Sequence, residues 1–476
     1  MFSQLKRLGA DSLLYAFMNV GTKLIAFILF PLYAHLLDDT GKIGLLQLVD
    51  TNVSMLTFLV IFGTDSALAF YYFEYKDKET REKYVRSVMT FRLSIVALLF
   101  IVFIIGGEWL SLLLLDSSGY SSLFYIALGT LCLDTIVTLV LTILRYEFKT
   151  KKVVVTTIAK MLLIAIVSLL FLVFVWTSLE GILLARLVSV GIIVLVLIRP
   201  VKIYLRPLFD WSILKKILLY ATPLVPASLA FWIIANANNY FLKAYGTLSD
   251  IGLYGTAIKF ATFITLLTSG IQLAWRPFSM SIKDKESTPK LFATLYAAFL
   301  LVGSLGILLL ATTMPWIILV MPEEFRIAFQ YVAPIAIATF LNFYYMIVTP
   351  GIFYTKQTKH ISIAFGISAV VSIILNFIFV PLLSIWGTVI SYIVAYCVAL
   401  FLVFRKSQKL YYVPFSGFKM AWTIGWLIVA TMAIIWIQVT EMNQWLIALV
   451  WLVFIALLFV VRMDRYFTKK QLTGGE

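Results

Sequence analysis

Reactive side chains are scarce in this chain. Of its 476 residues, two are cysteine and two are histidine. Cys132 and Cys397 both lie inside apolar runs, which makes them packing residues rather than a disulfide framework. His35 and His360 each stand alone in loops, so no zinc spacing and no histidine-based catalytic pair is present. No Gly-rich phosphate loop with its lysine occurs, and no nucleophile elbow. Charge is scarce too: 13% of residues are charged against 62% hydrophobic, with a mean hydropathy of +1.00. An ordinary soluble domain carries about 25% charged residues. Acids are the rarer sign, 23 against 38 bases, leaving a formal net charge of +15. Those bases sit in short gaps between apolar runs. They therefore read as topology signals and anionic-lipid contacts, not as a nucleic-acid groove.

What the chain does have is length of apolar sequence. A spanning helix needs about 20 apolar residues, and about fourteen such runs lie between residues 11 and 463. Runs this long and this apolar imply an all-α integral membrane protein. The first run is too long for a cleavable signal peptide. Basic residues alternate between gaps. Lys6 and Arg7 precede the first run, and the second gap holds Lys76, Lys78, Arg81, Lys83 and Arg86. The third gap has Glu108 and Asp116 with no base, and the fourth has Arg145, Lys149, Lys151 and Lys152. Roughly thirty of the 38 bases fall on one side and about three (Lys42, Lys243, Arg326) on the other. The positive-inside rule makes the rich side cytoplasmic and places both termini there. The longest gaps, around Lys202–Lys216, Lys283–Lys290 and Arg405–Lys419, are too short for an extramembrane catalytic domain.

A weak internal repeat is visible. Leu13-Leu14-Tyr15-Ala16 at the first run matches Leu218-Leu219-Tyr220-Ala221 at the seventh. Ile43-Gly44-Leu45 matches Ile251-Gly252-Leu253, and Leu179-Glu180-Gly181 has a counterpart in Ile385-Trp386-Gly387. Three matches in order imply two parallel repeats: residues 1–205 as an N-lobe of spans 1–6 and 206–410 as a C-lobe of spans 7–12. Residues 411–476, with spans 13–14 and a tail, form an addition.

Charges inside the runs are the candidate functional residues, since each costs roughly 2.5–3.5 kcal/mol at the bilayer centre and needs a partner or a wet cavity. Arg92, Lys160 and Asp134 are expected to satisfy one another as structural ion pairs. Asp11 is expected to act as a helix-start dipole partner. Lys23, in the polar stretch Asn19-Val20-Gly21-Thr22-Lys23, and Lys259 are expected to face a cavity between the halves, with Arg186 as a third base. Asp50 and Asp65 are gate or coupling candidates, Asp50 as an outer-gate partner of Lys259. Asn238, in Asn236-Ala237-Asn238-Asn239, and Asn376 add polar lining. Pro223 and Pro226 should bend the seventh run.

The order of runs, Ile251–Tyr254, Ala274-Trp275-Arg276-Pro277-Phe278 and Leu144-Arg145 together resemble the Wzx-type O-antigen and capsule-unit flippases of the multidrug/oligosaccharidyl-lipid/polysaccharide (MOP) superfamily. MurJ-type lipid II flippases share the plan. The resemblance implies two six-helix lobes in a V shape, two further C-terminal helices, and alternating access. It implies an undecaprenyl-phosphate- or diphosphate-linked oligosaccharide as cargo, H+ or Na+ as coupling ion, and no other cofactor. It also implies a bacterial cytoplasmic membrane and polymerase or assembly proteins as partners. Lys23 and Lys259 match the substrate-binding bases of MurJ-type relatives by helix and side. The second run here carries Asp50 and Asp65 instead of a base, which argues against lipid II itself. No acid lies within the C-terminal spans, so Asn238 and Asn376 would make a weak sodium site. A multidrug cation antiporter of the same superfamily is the alternative, and would want an acidic cavity and twelve spans. A membrane polymerase or ligase would want a large, basic outer loop.

Overall fold

The structure, a computed structural model, describes residues 2–116, 118–283 and 285–467. Side chains are described from Leu14 to Tyr466 except at positions 118, 200, 201, 273 and 277. Lys6, Arg7, Asp11, Lys469 and Lys470 therefore lie outside the described side chains. Among the described residues every regular element is a helix and none is a strand. That is the demand of a bilayer, where each backbone polar group must be satisfied within its own segment.

The chain packs as two compact units, Met1–Trp232 and Ile233–Glu476. The first holds α1 (Phe2–Leu37), α2 (Thr40–Ile61), α3 (Thr64–Glu74), α4 (Lys78–Leu115), α5 (Ser121–Tyr146), α6 (Thr150–Leu170), α7 (Leu179–Val196), α8 (Ile198–Tyr204) and α9 (Trp211–Ala221). The helix α10 (Val225–Tyr245) carries the chain into the second unit. There follow α11 (Leu248–Ala261), α12 (Phe263–Ser281), α13 (Thr288–Ile317), α14 (Glu323–Arg326) and α15 (Phe329–Ile347). The rest are α16 (Pro350–Tyr354), α17 (Lys359–Leu383), α18 (Ile385–Leu410), α19 (Gly417–Val439) and α20 (Trp445–Val460).

Helix starts follow the local sequence. Asp39 accepts from the Gly41 and Lys42 N–H groups at α2, Asp77 from Thr80 at α4, and Asp210 from Ser212 and Ile213 at α9. Thr247 and Asp250 form a reciprocal capping box at α11. Each cap satisfies backbone donors that the first helical turn leaves open.

In the first unit α5 is central, packed by α4, α6 and α7, and α1 lies against α6. The run 43–73 is one apolar segment in sequence but two helices in space. Phe62 (φ 43°) and Gly63 (φ 69°) are both left-handed and break it. Gly63 is required twice over. Its φ suits glycine, and a Cβ there would sit 3.2 Å from the Ala221 carbonyl oxygen at the end of α9. The segment leading to α9 belongs to this unit. Arg86 donates to the Arg206 and Pro207 carbonyls, and the Leu208 N–H donates to Thr90. Pro223 falls in the short 3-10 turn Thr222–Leu224 that separates α9 from α10.

In the second unit α15 is central, contacted by α11, α12, α13, α18 and α19. Gly303 of α13 admits the Phe340 ring, and the Tyr344 hydroxyl donates to the Tyr296 carbonyl at 2.9 Å. The helices α17 and α18 form a tight hairpin at Ser384 (φ 46°), where a Cβ on Gly387 would meet the Phe379 backbone at 2.4 Å. Pro315 in α13 has no N–H to offer the Ala311 carbonyl. Gln438 of α19 supplies the missing donor, its Nε2 lying 3.1 Å from that oxygen. Trp451 of α20 donates to the Thr312 hydroxyl at 3.0 Å. The two C-terminal helices are thus tied to α13 beside Pro315.

Among the described residues, eleven helices are long and apolar enough to cross a membrane, or twelve if α11 and α12, bent by 46°, are one span. The expected fourteen segments all fall on helices, but two do not meet that standard. The helix α20 is short, at 16 residues. The helix α15 carries Gln330, Asn342 and three tyrosines. Its position explains this, because a helix walled in by five others need not be as apolar as one facing lipid.

Candidate functional site

Among the described residues, three acids within the apolar runs of the first unit, Asp50, Asp65 and Asp134, are each held by a base. Asp50 of α2 meets Arg186 of α7: Nη1 to Oδ1 is 2.6 Å and Nη2 to Oδ2 is 3.4 Å. The guanidinium fork suits a carboxylate in this way. The buried Tyr33 of α1 lies within electrostatic reach of both charges. Asp134 of α5 meets Lys160 of α6 at 2.7 Å. Asp65 of α3 meets Arg92 of α4, also at 2.7 Å.

Arg92 therefore does not join Asp134 and Lys160 but serves the α2–α3 break. It is 1% exposed, and its Nε and Nη2 also donate to Thr64 Oγ1 at 3.0 and 2.7 Å. Thr64 in turn donates to the Ile61 carbonyl that the break frees. Asp65 sits in the first turn of α3, where the helix dipole favours an acid. Asp50 and Arg186, expected as a gate residue and a cavity base, bond to each other within this unit.

The two remaining candidates are lysines. Lys23 is half-buried midway along α1. A Cβ built on Gly21, two residues before it, meets nothing within 4 Å, so this stretch of α1 borders open space. The Thr22 hydroxyl is turned back onto the Asn19 carbonyl. Lys259 is half-buried in the last turn of α11, just before the bend into α12. A cation there complements the helix C-terminal dipole, and the Thr262 hydroxyl donates to the Lys259 carbonyl at 2.6 Å.

Asn238 and Asn376 are brought together, both 0% exposed. Asn376 Nδ2 donates to Asn238 Oδ1 at 3.0 Å and to the Ser372 carbonyl at 2.8 Å. Asn238 Nδ2 donates to the Tyr254 hydroxyl at 2.8 Å. The pair is a buried clasp joining α10, α11 and α17. No group of three or more His, Cys, Asp or Glu side chains converges among the described residues.

Three of these arrangements were not read from the sequence. The Phe62–Gly63 break was hidden inside one apolar run, although Gly63-Thr64-Asp65 has the composition of a helix start. The Asp50–Arg186 pair joins residues 136 positions apart, which no local spacing reveals. Tyr254 as partner of Asn238 carried no charge to draw attention.

These features are those of a multi-pass helical membrane protein. The family model for polysaccharide biosynthesis proteins matches residues 8–283, and the chain belongs to that family. No curated protein matches the sequence. Among solved structures, the lipid II flippase MurJ in an inward closed conformation is similar, with a TM-score of 0.63 at 14% identity. That match covers 97% of this chain and 100% of MurJ. An inward-facing MATE family multidrug resistance transporter matches with a TM-score of 0.58 at 16% identity, over 82% of this chain and 93% of its own. A MATE transporter from Vibrio cholerae gives 0.56 at 13%, over 86% and 97%. At these identities the likeness is one of fold.

Proposed function

We propose that the protein flips an undecaprenyl-phosphate- or diphosphate-linked oligosaccharide repeat unit from the cytoplasmic to the outer leaflet of a bacterial inner membrane. It works by alternating access, with both termini cytoplasmic. The charge balance of the spans carries this reading. Asp50, Asp65 and Asp134 are each bonded to a base, so those pairs cancel. Lys23 and Lys259 are half-buried bases within the spans, one in each unit. A carrier with that balance is suited to an anionic head group, whose tail stays in lipid. A cation antiporter needs the opposite sign. Membership of the polysaccharide biosynthesis family and a fold shared with a lipid II flippase support a lipid-linked saccharide as cargo.

The membrane potential or an H+ or Na+ gradient supplies the drive. An inside-negative potential favours outward movement of an anion by roughly 2.3 kcal/mol per charge per 100 mV.

The test is thermal stabilisation of the purified protein by a synthetic undecaprenyl-diphosphate disaccharide. The wild type should be stabilised, and a Lys23→Ala/Lys259→Ala variant should not. Stabilisation of the wild type by organic cations, with none by the lipid, would sink the reading.

A further inference from the structure

The helices α18 and α19 are consecutive, yet they do not pack along one another. The helix α18 lies on α15 and α17, while α19 lies on α13, α15 and α20. Their shared turn is fixed at one end. Gln408 donates to the Val413 and Phe415 carbonyls and accepts from the Val413 N–H, and the Phe404 and Phe415 rings meet edge to face. From that turn the helices splay and enclose a groove of about 790 Å³. It runs along α18 from Cys397 to Lys409 and along α19 from Gly417 past Gly425.

We propose that this groove holds one acyl chain of an anionic diacyl phospholipid, with its phosphate between Arg405 and Lys409. The proposal stands independently of the cargo reading above.

Three observations carry it. The first is chemistry. The wall is apolar along its length, and at one end it carries two exposed bases, Arg405 and Lys409, with no acid in the lining. A single-headed amphiphile with negative charge at its head matches both ends. The second is length. The 12 steps from Cys397 to Lys409 span about 18 Å at 1.5 Å per residue, which is close to half of a hydrocarbon core about 30 Å thick. A chain from one leaflet fits, whereas a polyprenyl chain of a carrier lipid is several times longer. The third is access. Ala421 and Gly425 are exposed on the α19 wall, and a Cβ at Gly425 meets nothing within 4 Å. Small side chains there leave a channel open rather than admit a neighbouring helix. Inside a bilayer, an open apolar channel fills with lipid.

The attraction has a precedent in scale, since a basic residue near an anionic surface contributes about 1 kcal/mol. Two of them give about 2 kcal/mol, or roughly thirtyfold in affinity. Because Gly425 faces open space, Gly425→Phe fills the channel without displacing protein atoms. Arg405→Gln/Lys409→Gln removes the head-group contacts and leaves the groove intact.

The experiment is native mass spectrometry of the full chain in detergent, titrated separately with phosphatidylglycerol, phosphatidylcholine and undecaprenyl phosphate. Melting temperatures of the lipid-free proteins serve as the folding control. The expected result is a retained phosphatidylglycerol on wild type. Its affinity should fall at least tenfold in each variant, with melting unchanged and phosphatidylcholine weak throughout. Equal retention of both phospholipids would make the groove ordinary boundary-lipid surface and overturn the proposal. So would phosphatidylglycerol binding that survives Gly425→Phe. Displacement of phosphatidylglycerol by undecaprenyl phosphate in wild type but not in Gly425→Phe would assign the groove to the carrier tail, and overturn it as well.

Discussion

The Arg92–Asp65 pair should be strongly asymmetric to mutation. Arg92 is 1% exposed on its side chain, while the Asp65 side chain is 47% exposed. Replacing Asp65 with Ala strands a guanidinium that water cannot reach, its remaining partner being the neutral Thr64 hydroxyl. Removing one member of a buried pair in that way costs about 3–5 kcal/mol. Replacing Arg92 with Met leaves a carboxylate that is already half in solvent and can hydrate. Thr64 keeps its bond to the Ile61 carbonyl at 2.6 Å. Met fills most of the vacated volume, so the loss should be near that of one charged hydrogen bond, about 1.5–3 kcal/mol, less the relieved burial of the charge. Asp65→Ala should therefore be the worse variant by roughly 2 kcal/mol, and the double variant should resemble Arg92→Met alone. The assay is reversible unfolding by SDS in mixed micelles. Equal losses, or a larger loss in Arg92→Met, would refute the argument that burial of the cation sets the cost.

Gln438→Leu should cost about 1–3 kcal/mol, because Ala311 is buried and its carbonyl loses the donor that stands in for Pro315. Adding Pro315→Ala to that variant restores an N–H within α13 and should recover stability in the same SDS assay; no recovery would mean that Gln438 acts elsewhere. The Asp210 carboxyl is held below the usual aspartate range, first by the Ser212 hydroxyl and then by the Ile213 N–H. A depressed carboxyl stabilises fully above its unfolded value, about 3.9, and the contribution is lost as pH falls through the lower folded value. Asp210→Asn should thus flatten the acid limb of the stability profile in melts below about pH 4; an unchanged limb would show that the cap is not what titrates there.

Fold class was legible because the bilayer imposes one strong rule, that apolar length means helix. The same rule concealed what happens inside a run. Hydropathy averages over about 20 residues and cannot see two left-handed residues, so Phe62 and Gly63 passed as part of one span. It also undervalues α15, whose tyrosines are tolerated because other helices surround it. Intramembrane charges were easy to find, since each is costly wherever it sits. Their pairing was not, because Asp50 and Arg186 meet only through the packing of α2 and α7 in the folded unit. Lys160 and Asp134, grouped with Arg92 on sequence grounds, lie on consecutive helices joined by a short turn and meet there, whereas Arg92 bonds to Asp65.

The ion pairs bear on how such a carrier would use a membrane potential. A pair whose members lie on helices of one unit carries no net charge through the field. Asp50–Arg186, Asp65–Arg92 and Asp134–Lys160 therefore contribute to stability and to fixed geometry, not to voltage sensitivity. The response to potential of the two proposed cargo forms then differs by the head group, since a diphosphate diester carries about two negative charges and a monophosphate diester about one. At about 2.3 kcal/mol per charge per 100 mV, transport in proteoliposomes should steepen with imposed potential about twice as much for the diphosphate-linked cargo, and equal slopes for the two would refute that argument.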